Sequence, residues 1–295
     1  MSRSIGAPYS GRSLEIDAIV AAMSQLRGRV CVVTGASRGI GKGIALALGA
    51  AGATVYVTGR SLQPTDDPRG SLAKTVEKIT ALGGIGIAAH CDHSIDSEVQ
   101  AVIRRIGEEQ GRLDLLVNNV MSTPQQSELP PGMQSFWDLH PFWEVPLNFW
   151  DAFHNVGLRS HYVASVYTAP LLIATGGSLI VNVSSAGASR YVDNVAYGVG
   201  KAAVDRLSSD MAEELRPHNV ASVALWPGFT RTEDVLAQDE NFSDLAGSNS
   251  PLFNGRAVVA LATDPQVMSK SGQRFRVIEL AAEYGFRDEP GDAVR

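Results

Sequence analysis

Tyr197 and Lys201 stand four residues apart in Tyr197-Gly198-Val199-Gly200-Lys201, a spacing that places both side chains on one face of a helix. A free phenol ionises near pH ~10, too high for efficient proton transfer near neutrality unless a neighbouring positive charge stabilises the phenolate. Lys201 can supply that charge, so the pair is a candidate proton-transfer unit. Upstream, Thr34-Gly35-Ala36-Ser37-Arg38-Gly39-Ile40-Gly41 has the makings of a phosphate cradle. Its glycines let backbone approach a pyrophosphate closely, and a helix starting there offers unpaired N–H groups and a positive dipole end. The spacing Gly-x3-Gly-x-Gly differs from the Gly-x-Gly-x-x-Gly dinucleotide fingerprint, so its position in the fold carries the reading.

That position follows from the pattern of apolar runs. Strands are expected over 30–33, 54–57, 85–89, 113–117, 179–183, 220–225 and 275–278, and helices over 40–50, 71–82, 98–109, 149–174, 196–216 and 255–262. Val204, Leu207, Met211 and Leu215 give the helix of Tyr197 and Lys201 an apolar stripe. The strands are nearly all apolar, as expected when both faces are covered. Repeated β-α alternation predicts an α/β fold, a single doubly wound, Rossmann-like parallel sheet of about seven strands with helices on both faces. The glycine loop then joins the first strand to the first helix. One domain accounts for 24–295. Residues 1–23 read as an extension, with Ile16, Ile19, Val20 and Met23 at the spacing of a short docking helix.

Two stretches, 121–150 and 229–250, are long, loop-like and rich in Pro, Ser, Asn and Asp. Both follow strand carboxyl ends, where doubly wound sheets bind ligands, so both are candidate substrate walls. The first holds Trp137, Trp143 and Trp150 beside Phe136, Phe142 and Phe149, with Phe153 just beyond. Two readings stay open for these aromatics: a satellite core anchoring the loop, or a lipophilic substrate wall.

Composition excludes several partners. The 295 residues carry a formal net charge of -6, which argues against nucleic acid, whose phosphates want clustered positive charge. Residues 161–189 contain no Asp, Glu, Lys or Arg, yet Gly176-Gly177-Ser178 interrupts them and Asn182, Ser184 and Ser185 put polar groups where hydrocarbon would penalise them. No membrane span is expected. Cys31 and Cys91 cannot form a disulfide framework and fit a reducing, cytoplasmic setting. No signal peptide pattern opens the chain. His90-Cys91-Asp92-His93 has metal-ligand types, but four in a row at a strand end cannot all face one ion and no second cluster exists, so no metal is expected.

The charge of a dinucleotide can be read from the second strand. NAD sites usually place an acid after it to bond the ribose 2′-hydroxyl, whereas a 2′-phosphate prefers arginine. Here the strand ends Val57-Thr58-Gly59-Arg60-Ser61, and Arg38 lies inside the glycine loop. Two guanidinium groups converging on one phosphate make strong charge-assisted bonds. NADP(H) is therefore favoured over NAD(H).

From Arg29 to Ile278 the chain resembles the short-chain dehydrogenases/reductases, whose hallmark Thr-Gly-x3-Gly-x-Gly stands at Thr34 to Gly41. The stretches CVVTGASRGIG, YGVGKAA with LWPG downstream, and ALATDP are most similar to the dehydrogenase/reductase family member 1 type within it. The resemblance implies that Gly35, Ser37, Arg38, Gly39, Ile40, Gly41 and Arg60 bind the cofactor, that Asp92 bonds the adenine, and that Asn118 lies near its ribose. Asn118-Asn119-Val120-Met121 matches the family's Asn-Asn-Ala-Gly only in its first half. It further implies that Tyr197 donates a proton to a carbonyl oxygen in reduction and accepts it in oxidation, and that Lys201 also binds the nicotinamide ribose. Asn155 matches an asparagine that organises a water relay. Pro227-Gly228-Phe229-Thr230-Arg231-Thr232 resembles the turn whose Thr230 backbone and Thr232 side chain hold the carboxamide. Anchoring on the strand assigns the family's serine to Ser185, whereas counting back from Tyr197 selects Ser184; neighbouring strand residues face opposite sides, which favours Ser185. The implied activity is hydride transfer between NADP(H) and a small-molecule, lipophilic carbonyl or alcohol substrate, by a homodimer or homotetramer. A dinucleotide-binding sensor or scaffold without turnover is the alternative, since fold alone does not fix function.

Overall fold

The computed structural model describes residues 25–288 apart from 68, 124–127, 130–131, 134–136, 138–139, 193 and 238–246. The expected extension over 1–23, Phe136 and part of the second long loop therefore lie outside the described residues. Seven strands form one all-parallel sheet: β1 (Val30–Thr34), β2 (Thr54–Gly59), β3 (Ile85–His90), β4 (Leu115–Asn118), β5 (Ser178–Val183), β6 (Val220–Trp226) and β7 (Arg274–Arg276). Their spatial order is β3-β2-β1-β4-β5-β6-β7, so the chain reverses its winding between β1 and β4 and leaves a crevice at their carboxyl ends.

Strand periodicity divides the core in two. Cys31, Val33, Val55, Val57, Val181 and Val223 face one helical layer, where α1 (Gly39–Ala50), α2 (Leu72–Ala81), α8 (Pro251–Thr263) and α9 (Val277–Tyr284) contribute Ile44, Leu48, Ile79, Phe253, Leu261 and Leu280. Val30, Val32, Tyr56, Leu116 and Ile180 face the other, where α3 (Asp96–Gln110) and α5 (Ser160–Thr175) contribute Val99, Ile103, Ile106, Val163 and Leu172. α6 (Val195–Leu215) packs on β6 and turns Val204, Ser208, Ala212 and Leu215 inward, with Leu207 and Met211 half-buried beside them. α1 and α8 touch through backbone: a Cβ on Gly43 would lie 2.2 Å from the Pro251 carbonyl carbon.

Three departures from the expected elements matter for the site. The helix expected over 149–174 is two helices, α4 (Leu147–His154) and α5, joined by a π-helical turn at Asn155–Arg159. The last strand stops at Arg276, and Val277 and Ile278 instead open α9, where the Glu279 carboxylate accepts the Arg276 backbone N–H. The loop after β6 contains a short helix, α7 (Glu233–Ala237), which adds nothing to the hydrophobic core.

Candidate active site

The crevice begins at the glycine loop. Gly35 and Gly39 have φ of +67° and +60°, a region costly for residues with a Cβ. Added Cβ atoms would also collide, at Gly35 lying 2.8 Å from the Val120 Cα and at Gly41 lying 2.4 Å from the Asn119 amide nitrogen. The loop is stitched to the end of β4: Asn119 Nδ2 donates to the Thr34 and Gly35 carbonyls (2.8 and 3.1 Å), and Thr34 Oγ1 accepts from the Asn119 and Val120 N–H groups (2.9 and 3.1 Å). Ser37 is buried, and Ile40 packs on the core behind the loop. The result is a cradle of backbone at the first turn of α1, which fits a pyrophosphate.

Charged side chains ring the cradle. The Glu233 carboxylate accepts the Gly39 N–H at 2.7 Å and the Lys42 ammonium at 2.9 Å. Arg38 Nη1 donates to Asp67 Oδ2 at 2.8 Å, and Asp67 also takes three bonds from Arg69; those bonds, the side-chain ones foremost, hold its carboxyl below the usual carboxylate range. Asp234 joins both arginines, 2.9 Å from Arg69 Nη1 and 3.5 Å from Arg38 Nε. Arg38 and Arg60 are each paired with an acid, Arg38 with Asp67 and Arg60 with Asp92. Arg60 is exposed and faces Asp92 at 4.0 Å, while the guanidinium beside Arg38 is that of Arg69. Asp92 also accepts from the Ser94 backbone N–H and hydroxyl.

The proton-transfer candidates meet at the ends of β5 and α6. Asn194 caps α6 by accepting the Tyr197 N–H at 2.9 Å, which fixes where the tyrosine leaves the helix. Its ring stands edge-on to Phe153 (5.3 Å between centroids) and to Trp137 (5.2 Å). Lys201, one turn on, donates to the Val183 carbonyl at 3.0 Å, with its ammonium 5.8 Å from the centre of the Tyr197 ring. Burial pushes Lys201 down from 10.5 to about 8, so it is charged at neutrality yet close to titrating. Ser184 is buried and donates to the Lys201 carbonyl at 3.1 Å. Ser185 turns the other way: its Oγ accepts the Gly187 N–H at 3.0 Å, and a Cβ on Gly187 would lie 3.1 Å from that oxygen and 2.7 Å from Tyr197 Cε1. Ser185 and Tyr197 thus flank one glycine, and the geometry favours Ser185 over Ser184 as the partner of the phenol. Such a hydroxyl can orient a carbonyl and stabilise developing negative charge.

Gly200 makes this packing possible. A Cβ there would lie 2.5 Å from the Phe153 ring, and Phe153 is fully buried. Gly200→Ala is expected to cost about 1–3 kcal/mol of stability through overpacking and to lower kcat by displacing the ring that abuts Tyr197. Denaturant unfolding and turnover check this together; wild-type values in both would contradict the packing argument.

Asn155 and Asn118 lie at the edges of this arrangement. Asn155 is exposed and opens the π-helical turn that follows α4. Just before it, Phe153 faces α6 and meets Tyr197 and Gly200. The Asn118 side chain turns away from the crevice into the α5 layer, donating to Asn182 Oδ1 (2.9 Å), Ser165 Oγ (3.0 Å) and the His161 carbonyl (3.3 Å); only its backbone lies near the cradle. The Pro227-Gly228 turn is held by Thr230, whose Oγ1 donates to the Gly228 carbonyl at 3.0 Å and accepts from Asn254 at 3.2 Å. Thr232 sits against Gly39, 3.5 Å from where its Cβ would be, and its Oγ1 accepts the Val235 N–H. Sequence reasoning missed Asp67, Arg69, Glu233 and Asp234, charged loop residues without a local signal. It also missed His161, whose Nε2 lies 3.1 Å from the Val120 carbonyl and whose burial pushes it down to about 3.

Of the aromatic insertion, Phe149 and Phe153 form a satellite core with Met133, against which Trp137, Val145 and Tyr197 pack. Trp150 stacks on His154, and Phe142 and Trp143 are exposed. The satellite core is therefore real, and one of its walls is Tyr197 itself. Among the described residues no three His, Cys, Asp or Glu side chains cluster to hold a metal, and no helix is long and apolar enough to cross a membrane.

Comparison with known proteins agrees with this architecture. The short chain dehydrogenase family model matches residues 29–241. "Dehydrogenase/reductase SDR family member 1" of Mus musculus is 44% identical over 288 residues, spanning 92% of this chain and 87% of its own length. A metagenomic short-chain oxidoreductase solved in complex with NADP superposes with a TM-score of 0.66 at 30% identity, covering 86% of this chain and 98% of its own. A short chain dehydrogenase from Burkholderia cenocepacia, also in complex with NADP, gives 0.69 at 29% identity, covering 85% and 97%. The chain belongs to the short-chain dehydrogenase/reductase family and is an oxidoreductase of that kind.

Proposed function

We propose that this enzyme is an NADP(H)-dependent oxidoreductase of lipophilic carbonyl or alcohol substrates, with Tyr197 as the proton donor and acceptor. The observation that carries the reading is the convergence of Tyr197, Lys201 and Ser185 at the strand end beside a glycine cradle that any Cβ would fill. Gly35, Gly39, Ile40 and Gly41 would hold the pyrophosphate, Arg38 the 2′-phosphate, and Thr230 and Thr232 the carboxamide. When bound, the nicotinamide supplies or takes the hydride. Ser185 orients the carbonyl oxygen, Tyr197 passes it the proton, and the Lys201 ammonium stabilises the phenolate left behind. Support for NADP over NAD comes from Arg38 and from the two NADP complexes among the structural neighbours. Trp137 against Tyr197 supports an apolar substrate wall.

The reading includes one domain over 24–295, a cytoplasmic setting consistent with two unpaired cysteines, and a homodimer or homotetramer. Exposed Tyr162 and Val166 on α5 and Val195 and Val199 on α6 would give such an assembly an apolar contact face. The test is turnover with NADPH and with NADH against carbonyls graded from small and polar to bulky and apolar. NADPH and the bulky ketones are expected to give the higher kcat/KM, and Arg38→Ala to erode the preference for NADPH by about tenfold, the effect of losing one charge-assisted bond. Equal turnover across the substrate panel would remove the lipophilic assignment, and an Arg38→Ala variant with unaltered preference would remove the NADP assignment.

A further inference from the structure

We propose that α7 is a displaceable strap whose two acids occupy the phosphate seats of the cofactor crevice, and that Arg69, with Arg38, takes the 2′-phosphate once the strap lifts. The inference rests on the dinucleotide reading above. Glu233 uses both carboxylate oxygens, one on the first N–H of α1 and one on Lys42, whose side chain is only 7% exposed. The Gly39 N–H belongs to the glycine loop, where the pyrophosphate would sit. Asp234 bridges Arg38 and Arg69. A carboxylate and a phosphate present the same kind of anionic acceptor, and one N–H cannot serve both at hydrogen-bond distance. Binding of the cofactor therefore requires the acids to leave.

The strap is built to leave. α7 adds no side chain to the hydrophobic core, so lifting it breaks ion pairs without opening that core, the mark of a low-stability element. Its root is held separately: Thr230 bridges Asn249, and the Arg231 N–H donates to the Asn249 carbonyl at 2.9 Å. Lifting can thus begin after Arg231 while the Pro-Gly turn stays in place. What remains is a preformed anion site. Asp67 holds Arg38 and Arg69 together, is 12% exposed against 44% for Asp234, and belongs to a different loop. Gly70 fixes that loop against the cradle, since a Cβ there would lie 2.3 Å from the Ser37 carbonyl oxygen. Asp234 is the mobile counter-ion and Asp67 the fixed one.

The experiment is equilibrium titration of the full chain with NADPH and with NADH, for the wild type and for Glu233→Ala, Glu233→Gln, Asp234→Ala and Arg69→Ala, each checked for folding by its unfolding midpoint. A strap closed in nine molecules of ten weakens apparent affinity about tenfold. Glu233→Ala is expected to tighten both dinucleotides by about that factor, with Glu233→Gln intermediate, because both cofactors carry the pyrophosphate. Asp234→Ala should tighten NADPH more than NADH, and Arg69→Ala should weaken NADPH more than NADH. Glu233 and Asp234 variants that bind no more tightly than wild type overturn the strap, and an unchanged NADPH-to-NADH ratio in Arg69→Ala overturns the assignment of Arg69. If neither wild type nor variants bind either dinucleotide, the reading of the crevice itself falls and takes the strap with it.

Discussion

Tyr197→Phe is expected to lower kcat by about 10²–10⁴, the range for losing a general acid, while leaving the unfolding midpoint and NADPH affinity near wild type. The substitution removes one oxygen and keeps the ring that packs edge-on between Phe153 and Trp137. The satellite core, and with it the loop before α4, should therefore survive. A general structural role would predict the opposite pattern, with stability and turnover falling together. Steady-state turnover and a cofactor titration on the same preparation separate the two outcomes. A kcat within about tenfold of wild type would show that another group delivers the proton.

Lys201→Met is the second large effect, and its sign on stability is unusual. Burial lowers the lysine from 10.5 to about 8, which corresponds to about 3 kcal/mol of unfavourable free energy for holding the charge in the folded chain at neutral pH. Because the unfolded chain keeps its proton up to the higher value, it binds more protons than the folded chain between about pH 8 and 10.5. Stability from this group therefore rises with pH across that window. Methionine removes the charge but leaves the Val183 carbonyl without its donor, a loss of about 1–3 kcal/mol. The two effects offset, so the unfolding free energy near neutrality is expected not to fall, and the rise with pH should flatten. Turnover, in contrast, should drop steeply, since nothing then stabilises the phenolate. In the wild type the activity that depends on the ammonium should decline as pH rises past about 8. Urea unfolding at neutral and alkaline pH, beside a pH–rate profile, reads all of this. A Lys201→Met protein that is several kcal/mol less stable, or that keeps its turnover, would contradict the account.

Much of the fold was legible because its signals are local. Valine-rich runs bounded by glycine turns mark buried parallel strands, and Gly35, Gly39 and Gly41 fall in the turn after β1 and the first turn of α1. Adjacent residues leaving a strand face opposite sides, and Ser184 and Ser185 do so. Elsewhere local signals misled. The π-helical turn at Asn155–Arg159 leaves the surrounding residues helical in character, so 149–174 reads as one helix. Val277 and Ile278 are β-branched and extend an apolar run, although Glu279 three residues after Arg276 is the acid of a capping box.

The charged rim of the cradle was beyond local reading altogether. Arg60 follows β2 directly and so attracts the assignment, but the loop after it folds back until Gly70 meets Ser37, bringing Arg69 rather than Arg60 to the partners of Arg38. Glu233 lies 194 positions from the Gly39 N–H that it accepts. In sequence these are ordinary solvated charges. Only the tertiary fold gathers them at the rim of the glycine cradle.

The central claim is that one crevice binds NADPH and delivers hydride and proton to a carbonyl. It is tested most directly by mixing wild type and Tyr197→Phe with NADPH and a bulky apolar ketone, and measuring cofactor consumed and alcohol formed. The account predicts stoichiometric conversion by the wild type and a collapse in Tyr197→Phe at saturating cofactor. Equal rates from the two proteins, or no hydride transfer from NADPH to any carbonyl, would contradict it.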